Sequence, residues 1–278
     1  SGTRLMPLTS SVNKHLLPIY DKPMIFYSLS ILMLSGIDDI LIITRNEDVN
    51  LFKNLLGNGK NFGIKLDYAI QDNPNGIAEA FRIGEKFIGN SEVALMLGDN
   101  IFYGGQLSGK LASAMNRKKG ASIFAYEVID PSRFGVVSFD ENMKINSIEE
   151  KPLKPKSNYA VTGLYFYDNR VIDYAKEVKP SKRGELEITS INEMYLKEES
   201  LYVEIMGRGF TWLDTGTFDS LVEASNFISI MQRQQGFNIA CLEEIAYNND
   251  WITKDKLLKL VRHKNSPYHN YIKDLISK

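Results

Sequence analysis

The sequence predicts an α/β chain on a doubly wound, mixed but mostly parallel sheet, with an antiparallel region inserted after Pro131 and a helical tail from residue 238. Three observations carry that expectation. Short, continuous apolar runs at 40–43 and 93–97 are the pattern of strands covered on both faces. Helix-periodic segments alternate with such runs as far as residue 128, the order of a doubly wound sheet. Beyond Pro131 the alternation stops, and strands at 136–140, 145–150 and 161–167 follow, with little helix between the first two.

Each element has its own signal. Met24, Ile25, Tyr27, Leu29, Ile31, Leu32 and Leu34 crowd a helical wheel over 23–34, and Gly36 supplies the stop. The strand at 40–43 comes next, then a helix at 48–55, a strand at 65–70 and a helix at 77–87. The buried strand at 93–97, a helix at 107–117 and a strand at 121–128 complete the alternating part. A turn-rich stretch at 151–158 interrupts the antiparallel region. Helices resume at 170–177, 188–198 and 217–234, with a strand at 201–206. In the tail, Leu257, Leu258, Leu260 and Val261 mark one amphipathic helix, and Tyr271, Ile272, Leu275 and Ile276 another.

Composition removes several classes of function. Lys plus Arg number 33 against 34 Asp plus Glu, a net charge of −1, so electrostatics offers nothing to nucleic acid or an anionic membrane surface. A chain of 278 residues, 44% hydrophobic and 24% charged, can build one large α/β domain or two small ones. One cysteine, Cys241, forms no intrachain disulfide, and three histidines are too few for a Cys/His zinc cluster. A reducing, cytoplasmic setting is expected, with no membrane span and no recognisable targeting segment.

Ligands of an open parallel sheet bind beyond the carboxyl ends of its strands, which directs attention to Gly98, Asp99 and Asn100. Asp99 suits a hard cation or a nucleotide ribose there, and equally a turn-capping aspartate. The stretch Ser1-Gly2-Thr3-Arg4 through Thr9 offers backbone N–H groups and a guanidinium to phosphate oxygens, although a loose chain end has the same composition. It is neither a Walker loop nor GxGxxG. Lys14 and Lys22 flank a proline-stiffened segment, where a solvated lysine is the default. Glu149-Glu150-Lys151-Pro152 reads as a wet turn on composition alone. In Trp212-Leu213-Asp214-Thr215-Gly216-Thr217, an Asp or Thr could simply cap the following helix.

Taken in order, Gly2-Thr3-Arg4-Leu5 with Pro7-Leu8-Thr9, Lys14 with Leu16-Leu17-Pro18, Asp21-Lys22-Pro23-Met24-Ile25, Leu97-Gly98-Asp99-Asn100, Glu150-Lys151-Pro152 and Leu213-Asp214-Thr215-Gly216 resemble the sugar-nucleotide pyrophosphorylases. Within that group the chain looks like the glucose-1-phosphate thymidylyltransferases, through KSNYAVTGLYFY at 156–167, RGELEIT at 183–189, VEIMGRG at 203–209 and the region 243–251. The resemblance implies a nucleotide-diphospho-sugar transferase fold, with a nucleotide-binding part to about 130, a sugar-binding part over about 131–237 and an appendage at 238–278. It also implies transfer of a thymidylyl group from dTTP to glucose 1-phosphate, with release of pyrophosphate and a requirement for Mg²⁺.

Residue by residue, the resemblance places Gly2, Thr3 and Arg4 on the triphosphate and Lys14 beside them. Asp99 and Asp214 resemble the magnesium ligands, with Asp99 also on the nucleotide. Lys151 would hold the sugar phosphate, Gly135, Glu150 and Val161 the sugar, and Gln71 and Gly76 the thymine. Arg4, Lys14 and Lys151 are then the catalytic cations. The chemistry is consistent: one phosphate attacking another gathers negative charge, so the barrier is largely electrostatic. A sugar phosphate, with a second pKa of about 6, is already an ionised nucleophile, so scarcity of histidine is no objection. A glutamine amide can donate to and accept from a pyrimidine edge.

Two departures accompany the resemblance. The family's loop follows a buried strand ending in Ala-Gly-Gly, so the natural chain is expected to begin earlier, and His15 stands where glutamine is usual. The resemblance further implies tetramers with a regulatory nucleotide-sugar site. The competing readings are a uridylyltransferase using UTP, a non-catalytic nucleotide-sugar sensor, and a nicotinamide-dependent oxidoreductase, which the missing GxGxxG disfavours.

Overall fold

The predicted first helix forms as Ile25–Leu34 and is buried from Ile25 to Met33, Ser28 and Ser30 included, the Ser30 hydroxyl donating to the Tyr27 carbonyl at 2.7 Å. It starts two residues later than its pattern suggests, because Lys22–Pro23 pairs antiparallel with Pro18–Ile19. Gly36, at φ 79°, turns the chain out of the helix. The computed structural model describes residues 2–277, so Ser1 of the predicted phosphate loop and Lys278 at the end of the tail lie outside the described residues.

Two compact units are interleaved along the chain, where the sequence reading expected successive segments divided near 130 and 238. The first unit comprises the chain up to Tyr68, Gly98–Phe102, and everything from Leu213 onward. It contains Ile25–Leu34, the strand Asp39–Thr44 and the helix Val49–Leu56. It also holds Phe218–Gln235 and three C-terminal helices, Leu242–Asn248, Lys254–Val261 and Pro267–Ser277. Ile25–Leu34 packs against Leu242–Asn248, so the tail is part of this unit's core; Leu242, Leu257, Val261, Ile272 and Ile276 are all buried.

The second unit, Ala69–Leu97 with Tyr103–Trp212, is built on a six-stranded mixed sheet. Its central strand, Tyr159–Tyr167, runs antiparallel to Val93–Met96, Ala121–Glu127 and Gly135–Phe139. Gly135–Phe139 pairs antiparallel with Ile145–Glu150, and Leu201–Met206 pairs parallel with Ala121–Glu127. The sheet is mixed as expected, but antiparallel pairing takes the larger share among these pairings. The region after Pro131 is continuous with the strands before it, because Tyr159–Tyr167 bonds to both.

The helices Glu79–Ile83, Val171–Glu177 and Ile188–Lys197 cover the sheet, around a core that includes Phe81, Ile123, Val137, Tyr167, Ile191 and Tyr195. Phe81 and Tyr195 pack their rings against Tyr167, at centroid distances of 5.3 and 5.5 Å. The single helix expected at 77–87 is two short ones, Glu79–Ile83 and Glu85–Ile88, parted at Gly84. Val93–Met96, expected to be fully covered, is half-buried at all four residues. Its described pairing runs along one edge only.

Candidate active site

In the first unit, Gly2, Thr3, Arg4, Lys14, Asp99, Asp214 and Gly216 line one cavity of about 250 Å³. The six site residues predicted for this unit therefore meet in one place. Short 3-10 turns shape its entrance: Gly2, at φ 67°, precedes the turn Thr3–Leu5, and Leu5 is completely buried as the anchor. The Thr9 hydroxyl donates to the Gly2 carbonyl at 2.7 Å, holding the loop closed around exposed Arg4.

The two aspartates are brought together by the residue after Asp214. Buried Thr215 donates both its backbone N–H (3.1 Å) and its hydroxyl (2.8 Å) to the backbone carbonyl of Asp99. The Asp214 carboxylate folds over Gly216, where an added Cβ would lie 3.3 Å from Oδ2. Capping of the long helix falls to Thr217, which forms a capping box with Ser220, so Asp214 is not spent on that task.

Lys14 is not a solvated lysine. Its Nζ donates to Asp99 Oδ2 at 2.5 Å, with only 12% of the Lys14 side chain exposed. Asn100 Nδ2 donates to the other Asp99 oxygen at 3.0 Å. Burial works to raise the Asp99 pKa, but the charges of Lys14 and His15 and the two hydrogen bonds outweigh it, holding the carboxyl below its ordinary value. Burial is also the main reason His15 lies below the usual imidazole value. The His15 ring packs where a Gly98 side chain would be, 3.0 Å from a Cβ built there, which accounts for the glycine.

In the second unit a different group converges. Gly135 and Glu150 are directly paired across the antiparallel strands. A Cβ on Gly135 would meet Thr189 Oγ1 at 3.2 Å, Glu150 Oε2 at 3.5 Å and Val161 Cβ at 3.7 Å. Thr189 donates to Glu150 Oε2 at 2.5 Å, while Lys151 Nζ and Arg183 Nη1 stand 3.7 and 3.4 Å from Glu150 Oε1. Lys151 adopts a left-handed backbone at φ 42°, and its N–H donates to the Phe134 carbonyl. Glu187, buried beside Arg183, has its pKa raised by desolvation, and the negative charge of Glu150 adds to this.

Gln71 and Gly76 also lie together in this unit. Gln71 Nε2 donates to the Gly76 carbonyl at 3.3 Å and to Glu79 Oε2 at 2.6 Å. Both amide hydrogens are thus directed at acceptors within this unit.

The family model for nucleotidyl transferases matches residues 1–230. The chain belongs to the nucleotidyl transferase family. It is 57% identical over 279 residues to a glucose-1-phosphate thymidylyltransferase of Neisseria meningitidis, covering 100% of this chain and 97% of the relative. With the protein of that name from Mycolicibacterium smegmatis it shares 50% identity over 279 residues, covering 100% and 96%. Among solved structures it is similar to a putative glucose-1-phosphate thymidylyltransferase from Bacillus anthracis in complex with a sucrose, at TM-score 0.75 and 45% identity, covering 81% of this chain and 90% of that one. A UDP-glucose pyrophosphorylase complexed with UDP-glucose is more distant, at TM-score 0.72 and 26% identity over 83% and 95% of the chains.

Within this nucleotidyl transferase, sequence reasoning passed over Gly216, Thr215, Arg183, Thr189 and Glu79 as site residues. Arg183 and Thr189 are the ends of the 183–189 segment already singled out, which was the available signal. Thr215 and Gly216 stood inside the Leu213–Gly216 motif without an assigned role, and Glu79 carried no signal, since its contacts depend on side-chain orientation.

No group of three or more His, Cys, Asp or Glu side chains placed to hold a metal occurs among the described residues. The pair Asp99 and Asp214 on one cavity wall instead suits Mg²⁺, which is usually held by one or two carboxylates while taking its other ligands from phosphate oxygens and water.

Proposed function

We propose that this nucleotidyl transferase moves a thymidylyl group from dTTP to glucose 1-phosphate and releases pyrophosphate. The observation that carries the reading is the convergence of Gly2, Thr3, Arg4, Lys14, Asp99 and Asp214 on one cavity, in a chain 57% identical over its full length to a protein of that name. A nicotinamide-dependent oxidoreductase is disfavoured by the missing GxGxxG. A sensor would need to bind these anions without lowering the barrier to their reaction.

Each unit has a task. In the first, backbone N–H groups near Gly2 and Thr3, with the guanidinium of Arg4, hold the triphosphate, and Lys14 neutralises charge that develops as the α-phosphate is attacked. Asp99 and Asp214 would hold Mg²⁺, whose chemistry is to neutralise and orient the triphosphate oxygens. In the second, Gln71 and the segment at Gly76 take the thymine, Glu150, Gly135 and Val161 take the glucose hydroxyls, and Lys151 takes the sugar phosphate. The nucleophile is already ionised near neutral pH, with a second pKa of about 6, so no side chain has to remove a proton. Catalysis is in-line positioning with charge neutralisation.

A tetramer acting in the cytoplasm belongs to the same proposal. The reducing setting is suggested by the lone cysteine, Cys241, which is buried, and the tetramer rests on the family resemblance alone. The test is pyrophosphate release from dTTP and UTP against a panel of sugar 1-phosphates. Uracil lacks one methyl of thymine, worth about 1–3 kcal/mol in an apolar pocket, so dTTP with glucose 1-phosphate is expected to lead and UTP to follow. Pyrophosphate release that does not depend on a sugar phosphate would overturn the reading.

A further inference from the structure

We infer that Asp48 and Asn13 are positioning residues that aim Lys14 at the reacting phosphates: the buried Asp48 carboxylate orients the Asn13 amide, and that amide closes the turn from which Lys14 reaches the first-unit cavity. The inference rests on the proposed role of Lys14 in the phosphate chemistry and adds the two residues that set its direction.

Asp48 stands where an aspartate ordinarily caps a helix, immediately before Val49–Leu56, yet its side chain makes no capping bond there. Only 4% of the residue is exposed, and a buried carboxylate has to be met by donors. Its Oδ2 takes two, Asn13 Nδ2 at 2.7 Å and Arg45 Nε at 2.9 Å. Arg45 is a near neighbour in the chain, so local geometry accounts for that bond. The bond to Asn13 spans 35 residues and ties the turn after the strand Asp39–Thr44 to the segment carrying Lys14.

Asn13 passes the constraint on. A carboxylate only accepts, so the amide nitrogen has to face Asp48 and the amide oxygen has to face away. That oxygen accepts from the His15 N–H at 2.9 Å, and the Asn13 carbonyl accepts from the Leu16 N–H at 2.9 Å. Together these bonds close the 3-10 turn Lys14–Leu16. On the other flank a Cβ added to Gly2 would come within 3.5 Å of Lys14 Cβ, so the turn abuts the loop of Gly2 and Thr3. From this seat Lys14 Nζ reaches Asp99 Oδ2 at 2.5 Å. A turned amide would set oxygen against carboxylate and N–H against N–H, releasing the turn and swinging the long lysine side chain off its target.

The test measures kcat for pyrophosphate release from dTTP and glucose 1-phosphate by the full chain and its variants, with urea denaturation on each. Asn13→Asp keeps an oxygen for the His15 N–H but sets a second carboxylate against Asp48, and Asp48→Ala removes the acceptor. Each is expected to lower kcat by about 10–100-fold, the cost of misplacing a reacting group by about an ångström. Exchanging the pair, Asn13→Asp together with Asp48→Asn, reverses donor and acceptor across the same gap and is expected to bring kcat back to within about threefold of the parent. In a Lys14→Met background, Asp48→Ala is expected to change kcat by less than about twofold, because the group it aims is gone. A further drop in that background, or no recovery in the exchanged pair, would overturn the inference; Asn13→Asp and the exchanged pair carry the test if Asp48→Ala does not fold. If the parent releases no pyrophosphate, or Lys14→Met keeps the parental rate, the functional reading fails and takes the inference with it. If Lys14→Met is slow and Asn13→Asp is not, the inference alone falls.

Discussion

Replacing Lys14 by methionine removes one positive charge from the first-unit cavity while keeping an unbranched side chain of similar length. Two unit charges 2.5 Å apart attract by about 7 kcal/mol at an effective dielectric near 20. Desolvation offsets most of this, and a hydrogen bond between charged groups nets about 1.5–3 kcal/mol. Lys14→Met should therefore lower stability by about 1–2 kcal/mol, since Asp99 keeps its bond from Asn100 and 24% of its side chain remains exposed. The effect on turnover should be larger. Loss of one fixed donor to a developing oxyanion lowers kcat by about 10²–10³. The assay is steady-state pyrophosphate release alongside urea denaturation. A kcat within threefold of the parent, with the stability loss present, would show that Lys14 is only the counter-ion of Asp99 and refute its place among the reacting anions.

Three other outcomes follow from the geometry. Gly76→Ala forces a side chain at φ 116° against the Leu186 backbone, so it should lose about 2–4 kcal/mol in urea denaturation and weaken dTTP binding; parental stability would contradict the close approach. Asp168 accepts from Gly120 N–H at 2.7 Å, Tyr195 hydroxyl at 2.8 Å and Arg170 Nη2 at 2.7 Å, and Asp168→Ala should cost about 3 kcal/mol in the same experiment. Although burial opposes it, those partners hold the Asp168 pKa below its ordinary 3.8. The unfolded chain therefore takes up the proton first: the stabilisation is complete above about 3.8 and lost as pH falls through the folded value, so Asp168→Asn should flatten the acid limb of stability against pH. An acid limb unchanged in that variant would count against the assignment.

Local signals made much of this molecule readable in advance. The helix at 25–34, the strand at 201–206 and the hairpin of 135–139 with 145–150 each carry their own periodicity and stops. The residues on the first-unit cavity were legible because their chemistry is concentrated in short motifs such as Gly2-Thr3-Arg4 and Gly98-Asp99-Asn100. What stayed hidden depends on pairing across long sequence separations. Thr215 reaches back 116 residues to the Asp99 carbonyl. Tyr159–Tyr167 pairs with strands from both sides of Pro131, all earlier in the chain, and this turned the expected insertion into the middle of the sheet. Apolar character alone gave Val93–Met96 as fully covered, since composition reports what a strand can bury and not how many neighbours it has. The bond from Gln71 to Glu79 was likewise invisible, because an amide's orientation is set by what surrounds it.

The most direct measurement is turnover of dTTP and glucose 1-phosphate by the Asp214→Asn chain across a titration of Mg²⁺, with thermal unfolding recorded on the same samples. The account predicts a parental unfolding transition with turnover lost at every Mg²⁺ concentration, and activity in the parent that disappears when the metal is chelated. Turnover in Asp214→Asn with the parent's Mg²⁺ dependence would contradict it, because the two carboxylates on that cavity wall would then not be what holds the metal.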